Sequence, residues 1–371
     1  MTRPRIAHFL LVPELAGSPP NRAALDAYRD LGFHIDLYAP RGGPDVSDLG
    51  EHVSALPVEY GVRWLARHAA SPRWRRYSAF SGTTEDPQAV AGLLSRLHRR
   101  PLITFADEIY SGTYAGDRPR RWKQLCRQGM ARARLTIVNE AERIPLQRDY
   151  AGLPPDAPVI VYPGCFHAPP EPGDRQALRA FRGLPQDALV LAYSGVFNHG
   201  NGGLWLLRAL EDCPELWVWG QVLHNDPLVN GLLTQVRGGE RLVLEPSRLG
   251  WREAWASMAA VDIGQVVYLS DAPQFRHMGI ASNRLCMFLT MGVPVIASRQ
   301  PSFAFLEEHD CGVLIDGPEQ MAEAVRRIAA RLETMKANAL RCSQEVIRAP
   351  QRWQELREAI AAVVPPRGGA G

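Results

Sequence analysis

The sequence predicts an α/β protein built from two doubly wound domains. Short apolar segments rich in Ile, Val and Leu alternate with amphipathic segments, as in "RIAHFLLV", "NRAALDAYRDLG" and "FHIDLYAP". Apolar runs bounded by Gly or Pro are typical of strands covered on both faces, which indicates parallel sheets made of β-α-β units. The length of 371 residues suits two domains better than a single core.

The alternation breaks near residue 165, in "PGCFHAPPEPGDRQALRAFRGLPQDA", which is dense in Pro and Gly. We therefore expect an N-terminal domain over 1–165 and a C-terminal domain over 166–348. A last helix over 349–364 is expected to cross back to the first domain, followed by a disordered tail. Ligands bind off the carboxyl ends of the strands in such sheets, so we expect a site in a cleft between the domains.

The composition is that of a globular protein, with 46% hydrophobic and 22% charged residues. A net charge of only +3 gives no field that would favour nucleic acid, and we expect no such partner. The six cysteines form no C-x-x-C pair, and no apolar run is as long as a membrane-spanning helix. These features predict a cytoplasmic protein.

The segment "SNRLCMFLTMGVPVIAS", residues 282–298, predicts a helix capped by Ser282 and ended by Gly292. The unpaired amides and positive dipole of a first helical turn bind phosphate, and Arg284 adds a fixed charge with a forked set of donors. Ser282, Asn283 and Arg284 are therefore candidates for binding a diphosphate. A capped, buried helix with one solvated arginine would explain the same residues.

This segment resembles the donor-site segment of GT-B glycosyltransferases, approximately S-(P)-N-K-L-x-E-Y-x-A-x-G-x-P-V-I. The segments "ARLTIVNEAER", "PVIVYPGCF", "LAYSGVFNHGNGGLWLLRAL" and "WASMAAVDIGQVVYL" resemble other parts of that family in the same order. The resemblance implies a GT-B fold and the transfer of a sugar from a nucleotide-diphosphate sugar to an acceptor hydroxyl. It also implies chemistry that needs no metal.

Two positions depart from the family pattern. The Glu that holds the nucleotide ribose in many retaining members is matched by Met287, and an earlier acidic partner is matched by Gly279. The chain is in this respect closer to the bacterial exopolysaccharide glucuronosyltransferases, which also lack the acidic pair and use a Ser-x-Lys start. This resemblance favours a UDP-linked donor sugar, with a uronic sugar as one option.

A glycine-rich loop, "SGVFNHGNGGL", is predicted between a strand and a helix, where glycines let the backbone approach a phosphate. Gly195, Asn198 and His199 are its candidate donor contacts, although His199 could equally be a solvated loop residue. The next strand ends at Gln221, where a dinucleotide-binding fold would carry an acid. Gln221 is therefore a donor-site candidate, and nicotinamide binding is not expected.

The segment "SDAPQFRHMGIASN" precedes the predicted helix and adds Arg276 and His277 as candidate donor contacts, with Tyr268 and Gln274 as further candidates. The sequence has no D-x-D motif and no cluster of His and acids with metal-ligand spacing. We therefore expect no metal and no other cofactor, so that Arg284 and the helix tip neutralise the leaving diphosphate.

The segment "ITFADEIYSG" supplies the catalytic candidates Asp107 and Glu108, which follow a strand predicted to end near Phe105. A carboxylate in a partly dry site can take the proton of the acceptor hydroxyl. Related enzymes carry a D-A-H-E-like sequence at this place, and Asp107 matches its His. Alternatively, these acids cap a helix or pair with a nearby arginine. The stereochemistry of transfer stays open.

Two basic segments, 61–78 and 117–134, lie in the predicted first domain. The first holds five arginines and no acid, with Trp64, Trp74 and Tyr77 between them. Arginine with tryptophan suits an anionic membrane interface and a lipid-linked acceptor, or an anionic glycan. A small-molecule acceptor and a pair of ordinary solvated helices remain alternatives.

Two other functions fit the same fold. A sugar-nucleotide epimerase would use the donor site without a separate acceptor. A non-catalytic member would bind another transferase, a reading that the missing acidic pair allows.

Overall fold

The computed structural model describes residues 3–40, 47–109, 120–225, 231, 233, 235–245, 247 and 249–364. The tail expected to be disordered and the first residues of the basic segment 117–134 lie outside this part of the chain. The chain divides into two compact units, which we call unit 1 (residues 1–167 and 350–371) and unit 2 (residues 168–349).

Unit 1 contains a parallel sheet whose strands are ordered β3-β2-β1-β4-β5-β6-β7. The order reverses between β1 and β4, so this is the switch point of the sheet. The strands are Arg5–Phe9, His34–Ala39, Val53–Pro57, Tyr77–Thr83, Leu102–Ala106, Leu135–Val138 and Val159–Val161 (β1 to β7). The helices are Pro19–Asp30, Val62–His68, Glu85–His98, Arg120–Met130 and Ile144–Ala151 (α1 to α5).

The basic segment 61–78 differs from an interfacial pair of helices. It contains only α2, a 3₁₀ turn over Pro72–Arg76 and the start of β4. Trp74 and Tyr77 are fully buried, and Trp74 packs against Phe9 and Tyr38 in the core of unit 1. Burying an aromatic ring removes a large apolar area from water, so two of the three predicted interface aromatics stabilise the fold instead.

Unit 2 contains a second parallel sheet, ordered β10-β9-β8-β11-β12-β13, with its switch point between β8 and β11. Its strands are Leu189–Phe197, Leu216–Asn225, Leu242–Leu244, Ile263–Val266, Val295–Ser298 and Gly312–Ile315 (β8 to β13). Its helices are Arg175–Arg182, Gly203–Asp212, Trp251–Ala256, Pro273–Arg276, Asn283–Thr290, Phe305–Glu308, Met321–Ala329 and Leu332–Cys342 (α6 to α13).

The last helix, α14 (Pro350–Val363), belongs to unit 1 and contacts α1, β6 and β7. Leu356 and Ile360, one turn apart, are its fully buried side chains, which explains why an amphipathic segment attaches there. Among the described residues, no helix combines the length and apolar character needed to cross a membrane. The two parallel sheets with helices confirm the predicted α/β fold class.

Candidate functional site

Helix α10 begins as the sequence predicts. The Ser282 Oγ accepts a hydrogen bond from the backbone N–H of Leu285 (3.1 Å), and Gly292 follows the helix with a φ of 73°. The first amides of a helix have no acceptor within it, so those of Asn283 and Arg284 form the positive end of α10. The predicted capped helix is therefore confirmed, and its N-terminus offers donors for an anion.

Arg284 is held between two aromatic rings. Its Cζ lies 4.9 Å from the ring centre of Tyr268 and 5.5 Å from that of Tyr193. Its Nη2 lies 3.5 Å from the Oδ1 of Asn201, whereas its Nη1 is buried and has no hydrogen-bond partner among the described residues. Cation–π contacts contribute about 0.5–2 kcal/mol each, so the two rings help to fix the guanidinium in place.

The two tyrosines come from the switch point of the unit 2 sheet. Tyr193 lies on β8 and Tyr268 follows β11, the neighbouring parallel strand. The Tyr268 hydroxyl also bonds to the capping Oγ of Ser282 (2.7 Å). Ligands bind at the carboxyl ends of strands at such a point, so the fold places Arg284 where a ligand is expected.

The glycine-rich loop supports the same arginine. The Asn198 Oδ1 accepts a bond from the Asn201 N–H (2.8 Å), which closes the turn, and the Gln265 Nε2 on β11 donates to the Gly202 carbonyl (2.7 Å). Gly202 has a φ of 77°, and a Cβ there would lie 2.5 Å from the Cβ of Val267. Only glycine fits this position, and the tight turn brings Asn201 to Arg284.

Two other donor candidates, Gly195 and Gln221, lie within strands of the unit 2 sheet. Gly195 lies within β8 with a φ of 126°, which corrects its predicted place in the loop. The strand continues to Phe197 because its last residues pair with β9. The buried Gln221 donates to the Leu249 carbonyl (3.3 Å), and β9 runs on past it.

The last four donor candidates are three residues on or near the surface and one at the N-terminus of α10. His199 is exposed, and Arg276 is exposed and paired with Asp271 (2.9 Å). His277 is half-buried, and the buried Asn283 Oδ1 has no hydrogen-bond partner among the described residues. The structure thus brings Ser282, Asn283 and Arg284 together with the Asn198 turn.

Sequence reasoning missed Tyr193, whose only signal is a polar hydroxyl in an otherwise apolar strand.

Asp107 follows β5 at the carboxyl edge of the unit 1 sheet. Its Oδ2 accepts a hydrogen bond from the Asn21 Nδ2 (3.1 Å), while its Oδ1 is buried and has no partner among the described residues. Burial and the nearby Glu108 charge raise the pKa of Asp107 to about 7, against the opposing effects of Asn21, Asn139 and Arg143. A carboxyl group that titrates near neutral pH can accept a proton from a substrate.

The alternative of pairing with an arginine has partial support, because the nearby Arg143 charge opposes the rise in pKa of both acids. A helix capped by these acids would fall on residues 110–119, which lie outside the described residues. The Arg143 Nη1 lies near the backbone carbonyl of Asp107 (3.3 Å), and no ion pair joins the carboxylate of Asp107 or Glu108 to an arginine in the described ranges. Glu108 is exposed to solvent. Asp107 is therefore the better placed of the two for proton transfer.

Sequence reasoning missed a polar cluster beside Asp107. His8 on β1 bonds to the Ser81 Oγ through Nδ1 (2.9 Å), and the Tyr28 hydroxyl donates to the same oxygen (2.8 Å). Burial lowers the pKa of His8 to about 3, so the ring is neutral. The Asn21 side chain also faces His8 and opposes the fall in its pKa. The only feature of the sequence that indicates this cluster is one histidine, His8, in an otherwise apolar strand.

The buried Oδ1 of Asp107 lies beside this cluster and has no hydrogen-bond partner among the described residues, which is rare for a buried polar atom in a folded protein. The adjacent Thr84 has a φ of 61°, a strained conformation for a β-branched residue that is common at functional sites. In the described ranges, no group of three His, Cys, Asp or Glu side chains is arranged to hold a metal ion.

No protein-family model matches this sequence, and a search of curated proteins finds no relative. Solved structures do match. Sucrose-phosphate synthase from Thermosynechococcus elongatus is 16% identical, with a TM-score of 0.72 over 97% of this chain and 100% of that one. Anabaena HepE, crystallised with UDP-glucose, is 18% identical, with a TM-score of 0.73 over 96% of this chain and 99% of that one.

A third match is WaaG, a glycosyltransferase involved in lipopolysaccharide biosynthesis. It is 15% identical, with a TM-score of 0.67 over 98% of this chain and 100% of that one. Identities this low establish the fold and leave the activity to be argued from the site. The chain therefore has the two-sheet α/β fold of these glycosyltransferase structures, as its GT-B resemblance implies.

Proposed function

We propose that the protein is a glycosyltransferase that moves a sugar from a nucleotide-diphosphate sugar to an acceptor hydroxyl. The observation that carries the proposal is the position of Arg284. Two tyrosine rings hold its guanidinium, yet its buried Nη1 has no partner among the described residues. A phosphate oxygen is the acceptor that an arginine edge suits best, and the α10 amides lie beside it.

In this proposal the diphosphate lies against the N-terminus of α10 and the Arg284 guanidinium. As the bond between the anomeric carbon and the phosphate oxygen breaks, negative charge builds up on the leaving nucleoside diphosphate. Donors that are already fixed in position stabilise this charge without reorganising. We propose that no metal is needed, because the helix end and Arg284 supply the positive charge.

Asp107 is proposed as the general base. Its carboxylate accepts the proton of the acceptor hydroxyl while the acceptor oxygen attacks the anomeric carbon. A pKa of about 7 leaves a substantial ionised fraction at neutral pH and still gives a useful driving force for proton transfer. The Asn21 amide fixes one carboxylate oxygen, and the other, Oδ1, makes no hydrogen bond among the described residues.

We propose a UDP-linked sugar as the donor. The sequence resemblance supports this choice, and HepE, one of the structures that share the fold, is described in complex with UDP-glucose. A glycan, a lipid-linked sugar or a small molecule would serve as the acceptor.

We also propose a cytoplasmic location with peripheral membrane contact through residues 61–78 and 117–134. Arg63, Arg67, Arg73 and Arg75 are exposed and carry the charge, although Trp74 is buried in the core. Each exposed arginine near an anionic surface contributes about 1 kcal/mol of attraction. Co-sedimentation with phosphatidylglycerol vesicles tests this, and equal sedimentation with phosphatidylcholine vesicles would contradict it.

The donor site is tested by a thermal-shift panel of UDP, GDP, dTDP and their sugars, because a bound ligand raises the unfolding temperature. Arg284→Ala is expected to weaken nucleotide affinity by about 10- to 100-fold, since a hydrogen bond to a charged group is worth about 1.5–3 kcal/mol. Arg327→Ala, an exposed arginine of the same unit, is the matched control and is expected to change nothing.

Asp107→Asn is expected to bind the donor normally and to lose turnover. Full activity in this variant would remove the base assignment and leave the donor site untouched. Incubation with donor alone distinguishes an epimerase, which would interconvert the sugar without an acceptor. Tight nucleotide binding with no turnover on any acceptor would instead indicate a binding protein.

A further inference from the structure

Unit 1 contains a second basic feature at the edge of its sheet opposite to Asp107. A cavity of about 720 Å³ opens where β5, β6 and β7 begin, between the ends of α3 and α4 and the turn that precedes β7. Five arginines line it: Arg96, Arg99, Arg100, Arg132 and Arg134. The volume is within the usual range for small-molecule sites.

The charge of this cavity, which we call the arginine cavity, is not neutralised locally. Asp156 is its only acidic side chain among the described lining residues, and no ion pair to any of the five arginines is present in the described ranges. The C-terminal ends of α3, α4 and α5 contribute about half a negative charge each. A net charge of about +2 or more therefore remains, so ordinary pairing with helix ends does not account for five arginines.

Two details of the backbone and side chains point to binding. Arg99 has a φ of 53°, a left-handed position after a helix where glycine is the usual residue. Arg100 donates from Nη2 to the Arg75 carbonyl (3.2 Å), and its buried Nε has no partner among the described residues. The protein thus keeps the exposed Arg99 at a strained backbone position in the lining of the cavity.

The lining also indicates the class of ligand. The described part contains no aromatic side chain for stacking a base, and its apolar walls are small, with Pro101, Ala133 and Val363 among them. Arginine forks bind phosphate and carboxylate through paired hydrogen bonds, and clefts of one charge concentrate counter-ions. We propose that the arginine cavity binds a ligand that carries two or more phosphoryl groups, at a site separate from the donor site.

Titration calorimetry with inorganic tripolyphosphate tests the site on the full-length protein. Arg132→Gln/Arg134→Gln is expected to weaken binding by about tenfold or more, because two charge-assisted contacts are lost. Arg326→Gln/Arg327→Gln removes the same charge from exposed positions in unit 2 and is expected to change affinity less than about twofold. Arg284→Ala, in the donor site, is expected to leave this binding event in place.

A second variant separates binding from folding. Arg99→Gly relieves the left-handed strain, so it is expected to raise the unfolding temperature and to weaken tripolyphosphate binding severalfold. Equal losses in the Arg132/Arg134 and Arg326/Arg327 variants, or no measurable binding by the unaltered protein, would overturn the proposal.

Vesicles distinguish the two sources of such phosphoryl groups. If the cavity takes the headgroup of a lipid with two phosphates, Arg132→Gln/Arg134→Gln weakens binding to cardiolipin vesicles more than binding to phosphatidylglycerol vesicles of equal charge. If it takes a soluble ligand, the variant shows no such difference between the two lipids, while tripolyphosphate binding is lost. Either result supports the cavity as a phosphoryl site, whereas loss of vesicle binding with unchanged tripolyphosphate binding would refute it.

Discussion

Replacing Asp107 by Asn is expected to stabilise the protein at neutral and alkaline pH. The folded protein raises the pKa of this carboxyl from its ordinary 3.8 to about 7, chiefly through burial. A group whose folded pKa is raised binds its proton more tightly in the folded state. Its ionisation therefore destabilises the fold progressively as the pH rises from about 4 to about 7, and the penalty is constant above that range.

The size of the effect follows from the shift. Each pKa unit corresponds to 1.36 kcal/mol, so a wholly buried carboxyl shifted this far would lose about 4 kcal/mol. Asp107 is only partly buried, and solvent screens the exposed part of its charge. We expect Asp107→Asn to raise the free energy of unfolding by about 1–2 kcal/mol above about pH 7, with a smaller gain near pH 5.

Urea unfolding followed by tryptophan fluorescence, at about pH 5 and about pH 8, measures this gain. Asp187→Asn makes the same chemical change at an exposed position in unit 2 and is the control. An Asp107→Asn protein that is no more stable than the unaltered protein at the higher pH would refute the account of a carboxylate disfavoured by its surroundings. This test needs no substrate, so it is independent of the proposed activity.

Three further predictions concern the donor site. Ser282→Ala removes the cap of α10 and is expected to lower the free energy of unfolding by about 1 kcal/mol, measured by urea unfolding; an unchanged midpoint would contradict the capping role. Tyr268→Phe keeps the ring against Arg284 and is expected to change UDP affinity little, whereas Tyr268→Leu is expected to weaken UDP affinity by about 3- to 10-fold. Calorimetry measures both affinities, and equal affinities of the two variants would contradict the ring contact. Chelation with EDTA is expected to leave the transfer rate unchanged, and a loss of rate that magnesium restores would contradict the metal-independent mechanism.

Much of the fold could be predicted from local sequence. Short apolar runs between Gly and Pro predicted the parallel strands, because each run has to be buried on both faces. The helix after Ser282 could be predicted from its cap and its terminal glycine, and the structure has both. β3 and β4 could not be recognised, since β3 is only partly buried and β4 follows a run of arginines.

Only part of the candidate site could be predicted from local sequence. Ser282, Asn283 and Arg284 are neighbours in the chain, so a helix tip with three polar residues could be predicted without knowledge of the fold. Asn21 bonds to Asp107 from 86 residues away, and nothing in either local segment indicates this partner. The sheet brings them together because α1 follows β1, and the strand order reverses there.

The sequence by itself determined where most strands and helices form, β3 and β4 excepted, since periodicity, caps and glycines act over a few residues. Tertiary structure alone decided which polar groups are desolvated. It placed Arg284 between two tyrosine rings, raised the pKa of Asp107, and buried Trp74 in a segment whose composition suggests a surface. These properties depend on what surrounds a group in three dimensions, because the cost of charge and the gain from apolar burial are both set by the loss of contact with water.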